Sequence, residues 1–426
     1  MMHANSLKYN ISLLTKLSFL LTKTTTNLND KLQEVVEILA EALEVKRCSL
    51  VLHNPVLERY EIVAATGINI DKDELKQIDP IKQSKIIKYV IEHKRPVVVK
   101  DEKDMITYGI TPKEGYKVQS FISAPLIVPN GKFLGIINLT ETLTNQPFNE
   151  IEAQTILILS DQIAITIENT RLSEEILKDT LIKEQLKIAQ RVQTSLIPTD
   201  FPNNDTIESF GFTHPTFEVG GDYFDILQIS EHEYAFILAD VSGKGIPASL
   251  ITTSFRSYWR ALIKTIKSPK KILERLNNIL TSDLEKEGMF LTCFYGIYNS
   301  KKRILQYGNA GHEFPLLFNS KNNEFTLLRN NDLILGMFSD TNYKTFYKKL
   351  NSGDTIFVFS DGVTDFKYLR NVDSEMLIQN IFKKNINKSI CEIVTIIKNN
   401  LMSKLDGSRH SDDLTLIGIR FKQGGE

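Results

Sequence analysis

Four aspartate-bearing words recur in the second half of the chain, three of them beside apolar runs. The first is Val219-Gly220-Gly221-Asp222-Tyr223-Phe224-Asp225. The second, Asp240-Val241-Ser242-Gly243-Lys244-Gly245, follows the run Tyr234 to Leu238 and precedes Pro247. That run reads as a buried strand, and proline is favoured where a helix begins. The third, Asp361-Gly362-Val363-Thr364-Asp365, follows the apolar run 354–360. The fourth, Ser411-Asp412-Asp413, opens the last run, Leu414 to Phe421. Carboxylates carried by separate core strands can converge on one point, where they repel one another unless hard cations sit between them. Oxygen-only ligands favour Mg²⁺ or Mn²⁺ over zinc. Two such ions, bridged by one carboxylate, make a hydroxide nucleophile and clamp a phosphoryl group for in-line attack. No Ser, Cys or His nucleophile is then needed. Any one of these aspartates alone reads as a turn cap; all four together favour a shared site.

Two other readings compete for the same words. Gly243-Lys244-Gly245 is not a P-loop, which needs Ser or Thr after the lysine and a glycine five residues before it. Gly220-Gly221-Asp222 with aromatic residues following also fits a diguanylate cyclase, but the words at Asp240, Asp361 and Asp412 have no place there. Incubation with GTP separates these. A non-catalytic docking protein is the second alternative, and Mn²⁺ calorimetry separates it, since a docking surface need not bind metal.

The elements that must position these residues follow from patterning. A chain of 426 residues is of two- to three-domain length. Lys plus Arg total 51 and Asp plus Glu 52, so no global field favours nucleic acid. Cys48, Cys293 and Cys391 are far apart, which indicates neither a disulfide framework nor a zinc site. No apolar run reaches the roughly 18 residues of a membrane helix. The best candidate, Ile11 to Leu21, is interrupted by Thr15, Lys16 and Ser18 and reads as part of an amphipathic helix over 1–24. A cytoplasmic protein without membrane or nucleic-acid partners is expected.

From Leu28 to Leu43 the apolar residues fall on one helical face. Strands follow at Arg47 to His53 and Tyr60 to Ala65, a helix at Ser84 to Glu92, and a short strand at Pro96 to Val99. Ser120 to Val128 and Phe133 to Thr140 read as a hairpin around Asn130-Gly131, and a long helix from about Asn149 to Leu172 closes the unit. Apolar residues then continue at three- to five-residue steps from Leu172 to Leu196, with no Gly or Pro before Pro198. This predicts one long helix whose seam pairs with a second copy or packs on its own domain. Beyond it, strands are expected at 234–239, 291–298, 303–308, 314–318, 354–360 and 414–421. Helices are expected near 247–266, 268–285, 374–383 and 387–403. Short turns such as Asn299-Ser300-Lys301 argue an antiparallel arrangement, hence two sheets between helical layers.

Phe121-Ile-Ser-Ala-Pro-Leu-Ile, Gly131-Lys-Phe-Leu-Gly-Ile-Ile-Asn-Leu and Pro147-Phe148-Asn149-Glu150 resemble a GAF domain. That resemblance implies a sensory or dimerisation module of unreadable ligand; Cys48 reads as core. Gly220-Gly-Asp-Tyr-Phe-Asp, Asp240-Val-Ser-Gly-Lys-Gly, Asn309-Ala-Gly-His312, Ser360-Asp-Gly-Val-Thr and Asp412-Asp-Leu-Thr occur in the order found in the PPM family of metal-dependent Ser/Thr phosphatases. They resemble its bacterial SpoIIE/RsbU-like branch, and Gln190 to Pro202 resembles the segment preceding such domains. The expected α+β organisation is an N-terminal helix (1–24), a GAF-like α/β sandwich (25–172), a helical coiled-coil linker (173–199) and a PPM-type αββα sandwich of antiparallel sheets (200–426).

The resemblance implies two divalent cations, Mn²⁺ or Mg²⁺. It makes Asp240 the bridging ligand, with the Val241 carbonyl on the same ion. It assigns Asp361 and Asp412 to the second ion and Asp222 to the first, the last through water. Asp413 can exchange roles with Asp412, and Asn309 and His312 form a turn or act in catalysis. Gly243, Lys244 and Gly245 lie near incoming substrate, where Lys244 meets phosphate or only solvent. Two departures stand out. Asp365 occupies a position where many relatives have Glu, and there is no arginine placed like the phosphate-binding one of eukaryotic members. The implied substrate is a phosphorylated STAS-type anti-sigma factor antagonist. A parallel homodimer is expected, its linker carrying a signal from a ligand or partner at the GAF-like domain.

Overall fold

The computed structural model describes residues 28–68, 79, 84–108, 120–144, 146–364, 373–404 and 412–423. The helix expected over 1–24, Asp365 and Ser411 lie outside these. The chain divides into two compact units at Thr180/Leu181.

In the first unit, α1 (Leu28–Ala42) is followed by β1 (Val45–Asn54), β2 (Arg59–Thr66), α2 (Lys85–His93), β3 (Val97–Val99), α3 (Glu102–Thr107), β4 (Phe121–Ile127) and β5 (Phe133–Thr142). The strands form one antiparallel sheet in the order β2-β1-β5-β4-β3. Leu32, Val35, Val36 and Leu39 of α1 are buried against one face of it, the i, i+3, i+4, i+7 stripe read from the sequence. Val90 of α2 packs with Val97, Val99, Phe121 and Ile136 in a second, smaller cluster. Ser84 caps α2 by accepting the Ile87 N–H at 3.3 Å. The β4–β5 hairpin closes through residues 128–132, with Gly131 at φ +84°, a longer loop than a two-residue Asn-Gly turn. The short helix α3, capped by Asp101, is an element that the sequence pattern does not predict. A cleft of about 460 Å³ is lined by His53, Glu61, Lys132, Glu168 and Arg171 among others.

Helix α4 (Glu150–Leu196) runs 47 residues without interruption. Its first turns bury Ile156, Leu159, Ile163 and Ile167. Further on, Leu172, Ile176, Leu177, Leu181, Ile182, Ile188 and Val192 are exposed. The expected linker is therefore the continuation of the helix that closes the first unit.

The second unit contains β6 (Ile207–His214), β7 (Asp222–Ser230), β8 (Glu233–Val241), α5 (Ile246–Leu262), α6 (Pro269–Glu287), β9 (Leu291–Asn299), β10 (Ile304–Ala310), β11 (Leu316–Asn319), β12 (Glu324–Leu327), β13 (Phe346–Lys349), β14 (Thr355–Phe359), α7 (Asp361–Thr364), α8 (Ser374–Lys384), α9 (Ile390–Ser403) and β15 (Leu414–Phe421). Two five-stranded antiparallel sheets result, β13-β10-β9-β8-β7 and β12-β11-β14-β15-β6. Strands β6, β7, β12 and β13 were not anticipated. Gly211 inside β6, Gly220-Gly221 just before β7 and exposed alternate residues in β12 and β13 mask their periodicity.

Alternation along each strand builds the layers. Phe224, Phe236, Leu238 and Phe294 of the first sheet meet Ile356, Val358, Ile417 and Ile419 of the second. The opposite face of the first sheet, with Ala235, Ile237 and Tyr295, packs on Phe255, Trp259 and Leu276 of α5 and α6. The opposite face of the second, with Phe357 and Leu416, packs on Phe382, Ile393 and Ile397 of α8 and α9. The unit is an αββα sandwich. Asp225 lies on the helix-facing side of β7, fully buried, where it accepts from Tyr223 Oη at 2.6 Å and Arg260 Nε at 2.7 Å. Although it belongs to the Gly220-Gly-Asp-Tyr-Phe-Asp word, it is an interior ion pair, apart from the aspartates below.

Candidate active site

Asp240 is the penultimate residue of β8, one step inside the strand, and stands directly opposite Asp222 of β7. Paired residues of an antiparallel ladder project to the same side. By the alternation of Phe224, Phe236 and Leu238, that side faces the second sheet. The second sheet brings Asp361, which follows β14, and Asp412 and Asp413, which precede β15, to the same end of the sandwich. The four aspartate words, scattered over nearly two hundred residues, thus meet between the sheets.

Their electrostatics report the meeting. Burial, then the charges of Asp361, Asp412 and Asp413, push the Asp240 carboxyl up to about 8. Burial, then Asp240 and Asp413, push Asp222 well above the usual carboxylate range. Asp222 is 5% exposed, and neither of its carboxylate oxygens has a hydrogen-bond partner. Ser360 and Thr415 favour its ionised form only weakly and lie outside hydrogen-bond geometry. A buried carboxylate without a donor is costly, and a hard cation is the chemistry that satisfies it. Among the described residues no three Asp, Glu, His or Cys side chains close into a ready ligand cage. The aspartates form a looser ring, near enough to raise the pKa values of Asp222 and Asp240.

Backbone positions this ring. Asp413 is committed to it: its carboxylate accepts the N–H groups of Thr216 at 2.7 Å, Gly221 at 2.6 Å and Asp222 at 3.4 Å. The Gly220-Gly221 pair exists for this approach, because a Cβ on Gly220 would lie 2.6 Å from Asp413 Oδ2. Thr252 of α5 donates to the Gly221 carbonyl at 2.6 Å. Gln193, near the end of α4, clamps Gly220 from the other side, donating to its carbonyl at 2.7 Å and accepting its N–H at 3.0 Å. Ser360 donates to the Asp413 carbonyl at 3.0 Å and accepts the Thr415 N–H at 3.1 Å, lacing β14 to β15 beside Asp361. The sequence reading gives Gln193, Thr252, Ser360 and Thr415 no role, although Gln193 lies in Gln190 to Pro202, Ser360 opens the word Ser360-Asp-Gly-Val-Thr and Thr415 closes Asp412-Asp-Leu-Thr.

Asp412 faces outward. One of its oxygens accepts the Asp413 N–H at 3.0 Å and the other meets Lys244 Nζ at 2.9 Å. Lys244 stands between Gly243 (φ +93°) and Gly245 (φ +71°), a loop tied by the Ser242 N–H to the Phe290 carbonyl and by the Phe290 N–H to Ser242 Oγ. Helix α5 begins at Ile246, so Pro247 is its second residue, and Gly245 caps it without a side-chain hydrogen bond. The Val241 carbonyl lies beside Gly221, whose Cβ would come within 3.0 Å of it.

Asn309 and His312 build a turn. The Asn309 side chain accepts the His312 N–H at 2.8 Å and donates to the His312 carbonyl at 3.0 Å, around Gly311 at φ +70°. His312 Nδ1 lies 2.9 Å from Thr292 Oγ1, and Thr292 pairs with Asp240 in the ladder. Burial pushes the imidazole down to about 3, although the Phe359 carbonyl opposes this. A depressed native pKa gives stability that is present above the ordinary histidine range and lost as pH falls towards 3. As pH falls from 7 to 4.5 this group should cost the native state up to about 1.4 kcal/mol per pH unit, against the opposite trend of Asp222 and Asp240. In urea unfolding His312→Asn should therefore gain on the wild type over that range; a difference that does not change with pH would remove this role for His312.

Comparison with known proteins agrees with this architecture. The family model for Stage II sporulation protein E (SpoIIE) matches residues 230–422, and that for the GAF domain matches residues 27–167. The chain is 33% identical over 241 residues to phosphoserine phosphatase RsbU of Bacillus subtilis (strain 168), covering 57% of this chain and 71% of RsbU. It is 25% identical over 243 residues to phosphoserine phosphatase RsbP of the same organism, covering 56% of this chain and 58% of RsbP. The SiaA-PP2C domain of Pseudomonas aeruginosa is 18% identical, with a TM-score of 0.49, and covers 57% of this chain and 99% of that one. With its aspartates brought to one end of an αββα sandwich, the chain belongs to the SpoIIE/RsbU family of phosphatases, here joined to a GAF domain.

Proposed function

We propose that the chain is a metal-dependent phosphoserine/phosphothreonine protein phosphatase controlled through its GAF domain. The observation that carries the reading is Asp222: a buried carboxylate with no donor, opposite Asp240 and facing the aspartates of the second sheet. Two divalent ions, Mn²⁺ or Mg²⁺, supply when bound a hydroxide nucleophile and charge compensation for the phosphoryl group. Asp240, with the Val241 carbonyl beside it, would be shared by the two ions; Asp361 and Asp412 would help hold the second, and Asp222 the first. Asp413, its oxygens already engaged by backbone N–H groups, positions the Gly220-Gly221 loop and is no ligand. The loop at Gly243, Lys244 and Gly245 opens towards solvent beside Asp412 and admits the phosphorylated residue. RsbU and RsbP are phosphoserine phosphatases by name. The substrate proposed here is likewise a phosphorylated side chain on a STAS-type anti-sigma factor antagonist.

Hydrolysis of p-nitrophenyl phosphate and of a phosphoserine protein should require Mn²⁺ or Mg²⁺, and Asp361→Asn should abolish both. Metal-independent turnover, or full activity in the variant, would remove this assignment. The exposed seam from Leu172 to Val192 fits a parallel homodimer. Removing residues 1–172 should change either the phosphatase rate or the oligomeric mass in solution. If neither moves, the first unit does not regulate the second.

A further inference from the structure

A ring of aspartates at the end of a sandwich must be compensated before any ion arrives. At Asp412 that compensation comes from a side chain: Lys244 Nζ lies 2.9 Å from Oδ2. The lysine is delivered by a loop with room to move. Gly243 and Gly245 both hold positive φ; a Cβ on Gly245 would meet nothing within 4 Å, and one on Gly243 would meet only Met289 Cε at 3.5 Å. The Lys244 side chain is 40% exposed and that of Asp412 28%, so the pair is open to solvent. An ammonium and a divalent ion cannot share one carboxylate oxygen without strong like-charge repulsion at a few ångströms.

We propose that Lys244 is a tethered counter-cation of the aspartate ring, paired with Asp412 in the ion-free enzyme and displaced when a divalent ion takes the Asp412 oxygen, so that it sets how readily that ion binds. The inference rests on the two-ion reading given above. Its consequence is a threshold: the outer ion must displace an internal cation. Lys244 thereby weakens ion binding at the outer position, the opposite of what a lysine placed only to meet phosphate would do.

The test is Mn²⁺ binding to the full-length protein by titration calorimetry at fixed pH and ionic strength, with no substrate present. Lys244→Met should tighten the weaker Mn²⁺ site roughly threefold or more, the scale of a partly exposed ion pair. In an Asp412→Asn background the same substitution should change nothing, because the contact that it removes is already gone. Unchanged or weaker Mn²⁺ binding in Lys244→Met overturns the inference. Equal tightening in both backgrounds also overturns it, since the lysine would then act as a general repulsive charge. If Asp412→Asn alone binds Mn²⁺ like the wild type, it is the assignment of Asp412 as a ligand that fails. Chelator-treated Lys244→Met should melt at most a few degrees below the wild type, the loss of one partly exposed ion pair.

Discussion

Asp240→Asn should lower Mn²⁺-dependent phosphatase activity by at least about a hundredfold, because under the proposed two-ion reading it would remove a ligand shared by both ions and forfeit several kcal/mol of transition-state stabilisation. The same substitution should make the ion-free protein more stable. Asp240 faces Asp222 across the β7–β8 ladder, and its carboxyl is pushed up to about 8 by burial and by Asp361, Asp412 and Asp413. A carboxyl raised in the native state contributes stability that is present below the ordinary carboxylate range and lost as pH climbs through about 8. The amide carries no charge and escapes that loss. In chelator at pH 8.5, Asp240→Asn should therefore melt a few degrees above the wild type, taking about 1 kcal/mol as 2–4 °C for a unit of this size. Near pH 5 the difference should shrink. Calorimetric melts at the two pH values, with turnover measured in parallel, check both halves. A variant that is inactive because it is misfolded would melt lower at both.

Gly362→Ala should disable the site from the opposite sheet. A Cβ on Gly362 would lie 2.1 Å from the Asp413 carbonyl oxygen, 2.9 Å from its carbon and 3.1 Å from the Asp412 carbonyl oxygen. All three are backbone atoms held by the β14–β15 ladder and by Ser360, so no side-chain rotation relieves the contact. Overpacking of this kind costs about 3 kcal/mol. The relief available, separating α7 from residues 412–413, moves Asp361 away from Asp412. The urea midpoint should fall, and Mn²⁺ affinity should drop at least about tenfold beyond what the stability loss explains. Native-like Mn²⁺ binding in the variant would show that Asp361 and Asp412 need not keep this spacing.

Much of this architecture lies in local pattern. The stripe of Leu32, Val35, Val36 and Leu39 and the apolar runs now seen as β8, β9, β14 and β15 are signals that buried faces impose on any chain. Three of the four aspartate words were legible for the same reason, since they adjoin strands that must be buried. The elements that escaped carry weaker patterns: β12 and β13 are short and half exposed, and α3 is six residues long.

What the sequence determined by itself was the inventory: two folded units, a continuous helix, and acidic words at the ends of core strands. Only the tertiary structure decided how labour is divided among those acids. Asp412 and Asp413 are adjacent and chemically alike, yet strand alternation turns Asp413 inward onto the N–H groups of Thr216, Gly221 and Asp222 and leaves Asp412 to Lys244. Asp222 and Asp225 share one word, yet the pleat sends Asp222 towards the second sheet and Asp225 to Arg260 beneath the helices. Composition and spacing fix which residues are present. The face each one occupies depends on strand register, and register is settled by long-range pairing that no local window contains.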